Sequence, residues 1–531
     1  LIMKKIYTSV HSRQFVAISA LCIFATMLAA QPAIQWQKTF GGSNYDEAHA
    51  IRQTSDGGYI VSGRTDSNDG DVGSGNHGSA DGWILKLTAQ GDIEWKKILG
   101  GTKGDSFGDI QQTPDGGYIV GGATTSDDGD ISGLIGVQDI WILKLNGTGD
   151  IQWNTLLGGS GVDFGSSIAQ ADDGGFVVLG LSHSPEIANP LNNGTSSDIY
   201  VVKLSATGAI QWQKALGGSG QDQGFEIQKV AEGGYVILGR TTSNDGDVSG
   251  FLGGLWDSWL VKINDLGEIE WQRTLGGSGS DRASGVLPTN DGGYLVTGST
   301  ESQDGDLAGN HGFQDCWVIK LNSTGDIQWQ KTLGGSAIDN GSGAVETSDG
   351  GYMVCASTAS NDEDVETIHG EFDAWLLKLN ENGQLQWQKP LGGSRSDYAN
   401  TIQRTNDNGH VLAGNTRSDD GDVTINQGQS DFWIIKMGAE SVGLEEILPS
   451  TSDARLGIFP NPANQTISLS IPEQMPAMTA RVFDFLGRQI SQQILPNGSS
   501  LDISLLPNGL YSIVATTPSG NVFSNKFRKQ D

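Results

Sequence analysis

Trp83 to Asp105 reads WILKLTAQGDIEWKKILGGTKGD, and most of the chain is built by repeating that sentence. An extended run opens on Trp83, a Gly turn follows, a second run carries Trp95, and a Gly-Gly loop closes on Asp105. The outer Trp returns at Trp36, Trp95, Trp153, Trp212, Trp271, Trp329 and Trp387. The inner aromatic stands at Trp83, Trp141, Tyr200, Trp259, Trp317, Trp375 and Trp433, so the period is 58 or 59 residues. Self-similarity at such a period means stacked supersecondary units, each too small to bury its own faces alone.

Working outward from that stretch, one unit predicts four short strands. Strand A covers 47–54, a turn at Asp56-Gly57 leads into strand B at 58–64, and a long loop runs from 65 to 80. Strand C follows at 82–87, then a turn at 89–91 and strand D at 92–97. Turn residues separate the runs, and no run carries a helical period. Four antiparallel strands taken seven times predict an all-β, seven-bladed propeller. Residues 34–38, IQWQK, form a strand D with no blade before them, while the last unit ends at Met437 without a strand D. The spare strand is therefore expected to complete the blade of Trp433 and close the ring, which leaves no open edge.

Composition narrows the class. Gly numbers 77 without a Gly-x-y period, which excludes collagen and indicates many tight turns. A formal charge of -30 opposes nucleic-acid phosphates and anionic lipid, and suits divalent cations or basic partners. Of three Cys, Cys22 lies in the N-terminal apolar run, and Cys316 and Cys355 fall at different positions of different units. Two thiols cannot frame a fold of this size.

The ends differ from the repeat. Residues 1–30 read as a signal peptide, with Lys4 and Lys5 ahead of an apolar run from Phe15 to Ala30 and cleavage expected near Ala30. That run is short for a spanning helix, so no membrane-spanning segment is expected in the mature chain. The propeller occupies 31–437, an acidic linker 438–455, and a small β-sandwich 456–531, with alternating runs at 466–471, 480–485, 501–503, 510–516 and 523–527.

Three charged positions recur in every unit. One Asp follows the Gly-Gly loop, as at Asp46 and Asp105; a second stands two residues before the inner aromatic, as at Asp81; a Lys stands three after it, as at Lys86. Sevenfold repetition points to architecture: Asp fixes turns, and a buried Lys needs a carboxylate. The alternative is a repeated charged ligand site.

The long loops carry Asp69 and Asp71, Asp128 and Asp130, Asp245 and Asp247, Asp304 and Asp306, Asp362 and Asp364, and Asp420 and Asp422. Alternate carboxylates around a Gly can build an oxygen cage, and calcium is the cation such a cage would take; an acidic Asp-Gly turn is the other reading. The third unit departs, with His183-Ser184-Pro185-Glu186 in that place. His77, His311 and His369 read as turn residues. No phosphate loop, dinucleotide fingerprint or zinc helix is present.

The C-terminal residues carry a family resemblance. Phe459-Pro460-Asn461-Pro462, then Val482 to Gly487-Arg488, then Leu506-Pro507-Asn508-Gly509-Leu510-Tyr511, and finally Lys526-Phe527-Arg528-Lys529 follow one another in the order seen in type A sorting domains of the type IX secretion system of Bacteroidetes. The resemblance implies export through the outer membrane by that machinery, removal of residues 456–531, and release or attachment at the cell surface. The repeats resemble uncharacterised propeller repeats found beside such domains, and their strand C and D pair is weakly similar to quinoprotein-type blades.

D–A and B–C connections emerge on one face of a propeller, so that face should be acidic and loop-rich, the usual place for binding. The expected function is a surface or secreted scaffold that binds or adheres to glycan or protein ligands. Two rivals remain, a polysaccharide-active enzyme and a structural spacer. His183 with Glu186 is the one catalytic pair the sequence offers, and it loses the unit's loop carboxylates without adding an acid–base set.

Overall fold

The computed structural model describes residues 29–187, 196–307, 309–442, 456–470, 478–483, 489–496, 499–517 and 522–530. Most of the expected signal peptide and linker lies outside them, as do Gly487, Arg488 and residues 188–195 of the third unit's loop. Two compact units result, residues 31–440 and a second that holds residues 441–531.

The larger unit is a seven-bladed propeller. Its first blade pairs strand A (Asp46–Gln53), strand B (Tyr59–Thr65), strand C (Asp81–Leu87) and strand D (Ile93–Leu99) in that order, all antiparallel. The same order holds in each later blade through the last, whose strand A is Asp397–Arg404, strand B His410–Thr416 and strand C Asp431–Met437. Its fourth strand is Ile34–Phe40, with Trp36 opposite Lys436 and Thr39 opposite Trp433. Closure is also visible between blades: the Asp105 N–H donates to the Ala80 carbonyl at 2.7 Å, and the Asp46 N–H donates to the Ser430 carbonyl at 2.7 Å. The second bond joins the last blade to the first.

The aromatic series hold the blades together. The inner Trp residues are buried, and Trp83 packs on Phe432 of the preceding blade with ring centroids 4.6 Å apart. Outer Trp residues of strand D reach forward: Trp36 meets Tyr59 edge-on at 5.7 Å and Trp95 meets Tyr118 at 5.7 Å. Each blade thus supplies a large apolar surface to each neighbour, which is how a sheet too small for its own core is stabilised. Cys316 and Cys355 are free and buried.

The second unit holds two small antiparallel sheets. Gly457–Phe459, Thr466–Ser470 and Ser500–Asp502 form one; Gln489–Leu495, Met478–Phe483, Gly509–Thr516 and Val522–Lys529 form the other. The strands at 457–459 and 489–495 carry no run in the sequence reading. The first is short, and the second, QISQQIL, places polar residues where alternation would need apolar ones. Ile467, Leu469, Val482, Ile513 and Phe527 meet in its core.

Candidate functional site

The repeated charges are architectural in their contacts. Asp46 receives the Gly42 N–H at 2.8 Å, the Ser67 hydroxyl at 2.8 Å and the Thr65 hydroxyl. Asp281 is bound in the same way by Gly277, Ser302 and Thr300 at 2.8, 2.7 and 2.5 Å. Each strand C Lys is buried. Lys86, Lys144, Lys203, Lys320, Lys378 and Lys436 reach the A–B turn carboxylate at 2.8–2.9 Å. The fourth blade has Glu232 in that turn, and Lys262 bonds Glu270 at 2.9 Å and the Gly233 carbonyl at 2.7 Å instead. Burial works against ionisation of Asp56, Asp291 and Asp407, but bonds from the Lys and the turn outweigh it and bring each to about 2.

The loop carboxylates face the Gly-Gly loops of their own blades. Asp69, Asp245, Asp304 and Asp420 each accept the N–H of the Ser after the Gly pair at 2.7 Å, and Asp362 does so at 2.8 Å. Asp128 accepts the Thr102 N–H at 2.7 Å. Asp130, Asp247 and Asp422 accept the first Gly N–H at 3.1–3.2 Å, while Asp71 and Asp364 lie at 3.5 and 3.4 Å from theirs. Asp306 stands 3.6 Å from Arg273. The backbone N–H groups hold Asp128, Asp362 and Asp420 below the usual carboxylate range. The twelve Asp residues therefore share one face, but among the described residues no three metal-ligating side chains gather into a cage.

His77, His311 and His369 are turn residues: each donates its backbone N–H to the strand C Asp four residues on, at 2.8, 2.7 and 2.9 Å, and its ring Nδ1 bonds the same oxygen. In the third blade Glu186 takes the place of the first loop Asp and lies 3.4 Å from the Ser160 N–H. His183 turns its Nδ1 to the Val162 carbonyl at 3.3 Å, so the two groups face different partners.

Two features escape a reading of the repeat because they sit where copies differ. The first is a set of apolar tips on the loop face. The slot two residues before the strand C Asp holds Val137, Leu255 and Phe313 in three blades, and they are 64%, 71% and 68% exposed. The second is a central cavity of about 640 Å3, walled by strand A of all seven blades. Here Arg52 bonds Asp109 at 3.2 Å, and Asp109 also accepts the Ile168 N–H at 3.2 Å. Glu226 accepts the Val286 N–H at 2.8 Å and Gln228 Nε2 at 2.6 Å; burial nonetheless pushes its carboxyl up. Burial lowers His49, against the bond its ring makes to the Phe107 carbonyl at 2.7 Å. Laying the seven strands A over one another would have shown these residues as the unrepeated ones.

In the C-terminal unit the sorting motifs converge on the last strand. Asn461, between Pro460 and Pro462, donates from Nδ2 to the Lys526 carbonyl and accepts the Arg528 N–H, both at 2.9 Å. Gly509 pairs with Lys529, and Tyr511 stacks on Phe527 at 5.5 Å while its hydroxyl donates to the Pro507 carbonyl at 2.7 Å.

Residues 457–529 match the secretion system C-terminal sorting domain. The chain is therefore an exported all-β protein, secreted or attached at the cell surface, whose C-terminal domain makes the type IX secretion machinery its partner. Among the described residues no helix is long and apolar enough to cross a membrane. A curated relative, Regulatory protein FlaEY of Caulobacter vibrioides, is 26% identical over 249 residues, 44% of this chain, and the match spans a quarter of that protein's length. Similar solved structures include puromycin hydrolase (TM-score 0.43, 11% identity, 84% of this chain and 62% of that one). Others are the Neurospora crassa Pan2 WD40 domain (0.41, 9%, 75% and 95%) and a copper-bound fungal alcohol oxidase of the AA5 family (0.41, 12%, 94% and 100%). At these scores the likenesses add nothing to the fold described above.

Proposed function

We propose that the propeller is a binding or adhesion scaffold for glycan or protein ligands, presented outside the cell, and that the ligand meets the long-loop face. The observation that supports this reading is the set of Val137, Leu255 and Phe313, three apolar side chains held well out in solvent from one slot of three blades. Exposed apolar groups ringed by polar ones are typical of interaction surfaces. The first blade places Ser79 in the same slot, so Ser is compatible with the loop.

The test replaces Val137, Leu255 and Phe313 together with Ser and compares both proteins on arrays of immobilised glycans and proteins. A partner retained by the native protein and lost by the variant, at equal thermal stability, supports the reading. Equal retention of every partner by both proteins rejects the loop face as the surface.

A further inference from the structure

The cavity at the centre of the ring is separate from the loop surface proposed above. We infer that it is a binding site for a neutral polyhydroxylated ring, such as a saccharide unit. Its volume of about 640 Å3 falls within the roughly 300–1,000 Å3 typical of small-molecule sites.

The repeat is abandoned at this wall. Every strand A opens on the same Asp, yet its fifth residue is Asp109 or Glu226 in two blades, Gly285 or Gly343 in two, and Ala, Ser or Thr in the rest. Seven slots with equal packing duties would be expected to converge, as the Trp and Lys slots do. Divergence at the one surface shared by all blades marks a place with a single, asymmetric task.

Side chains on the polar wall are held in place with bonding capacity to spare. Gln112 accepts the Ser55 N–H at 2.8 Å, Gln403 accepts the Gln53 N–H at 2.5 Å, and Gln228 donates to Glu226 at 2.6 Å. Each amide thereby fixes one end and leaves the other for a ligand. In the fifth and sixth blades, between those of Gln228 and Gln403, Val286, Leu287, Ala344 and Val345 add apolar lining.

The chemistry of the walls selects the ligand. Sugar hydroxyls donate and accept, as the amide ends require, while the C–H face of the ring suits the aliphatic side. The two carboxylates of Asp109 and Glu226, against the single Arg52, disfavour an anion.

Isothermal titration of the intact protein with methyl glycosides of glucose, galactose, mannose and N-acetylglucosamine tests the inference, with inorganic phosphate and free lysine as charged controls. At least one glycoside should bind. Ser284→Trp, at a cavity-lining residue whose side chain makes no hydrogen bond among the described residues, should abolish binding by filling the channel. Gln112→Leu should weaken it roughly fivefold, the effect of one lost hydrogen bond to the ligand. Failure of all four glycosides to bind, binding that survives Ser284→Trp, or binding of a charged control instead would overturn the inference. Glycoside binding that survives Ser284→Trp but is lost in the Val137, Leu255 and Phe313 variant would place the sugar on the loop face and leave the adhesion reading standing.

Discussion

The carboxylates of Asp431 and Asp46 meet across the seam where the last blade joins the first, with Gly41 between them. A Cβ on Gly41 would lie 2.2 Å from Asp431 Oδ1 and 2.8 Å from Asp46 Oδ2. The arrangement recurs at Gly100, between Asp81 and Asp105, and at Gly276, between Asp257 and Asp281. The first Gly of each Gly-Gly pair is thus set by a carboxylate on either side. Gly100→Ala should cost about 1–3 kcal/mol as an overpacked site, whereas Gly343→Ala, whose Cβ would find Cys355 Sγ at 3.7 Å, should be close to neutral. Urea denaturation of the two variants distinguishes them, and equal stabilities would refute the steric account.

The same junctions make stability depend on pH. Burial, opposed by the Gln427 N–H and reinforced by the Asp46 charge, pushes Asp431 up to about 7; burial, opposed by the Leu252 N–H and reinforced by Asp281, does the same to Asp257. Their folded values lie above the unfolded value of about 3.9, so the native state binds more protons and stability falls as pH rises toward 8. His410, lowered to about 4 by burial, acts in the opposite sense below about 6.5, which makes the interval from about 6.5 to 8 the clean one. Tm should decrease across it, and Asp431→Asn should flatten the slope. A rise in Tm over that interval would refute the assignment.

The strand C lysines allow a comparison of breaking a pair with removing it. Lys320 is buried and bonds Asp291 at 2.9 Å. Asp291→Ala should cost about 3 kcal/mol because it strands a buried ammonium, while Lys320→Met should cost much less. Chemical denaturation should place the methionine variant nearer the native protein; the reverse order would show that the turn does not depend on the Lys.

Removal of residues 31–40 would strip the fourth strand from the last blade and expose Asp431–Met437 as an edge. Such an edge is open to pairing with a second molecule. Gel filtration should show oligomers or aggregates larger than the intact protein, and an unchanged elution volume with native stability would contradict the closure.

The loop carboxylates lead to a further expectation. Asp69, Asp128, Asp245, Asp304, Asp362 and Asp420 already accept backbone N–H groups. Calcium and magnesium at equal ionic strength should therefore raise Tm alike, through screening of a strongly acidic surface. A calcium-specific rise, diminished by Asp245→Asn with Asp247→Asn, would instead establish ligation.

The sequence by itself determined the blades. Trp83 and Trp95 repeat because every blade must offer its neighbours the same apolar surfaces, and the spare strand at Trp36 shows where the ring closes. The sorting domain was equally readable, since Asn461, Gly509 and Tyr511 stand in fixed order. Tertiary structure decided what the repeated charges touch. Asp69 accepts the Ser43 N–H at 2.7 Å and Asp71 lies 3.5 Å from the Gly41 nitrogen, distances that spacing along the chain does not specify. It also decided where asymmetry matters. Ala50, Asp109, Glu226 and Gly285 look like noise in the repeat until seven copies of strand A are gathered around one axis, where they become neighbours across a single cavity. A repeat displays what is common to its units, and a ring's chemistry lies in what is not.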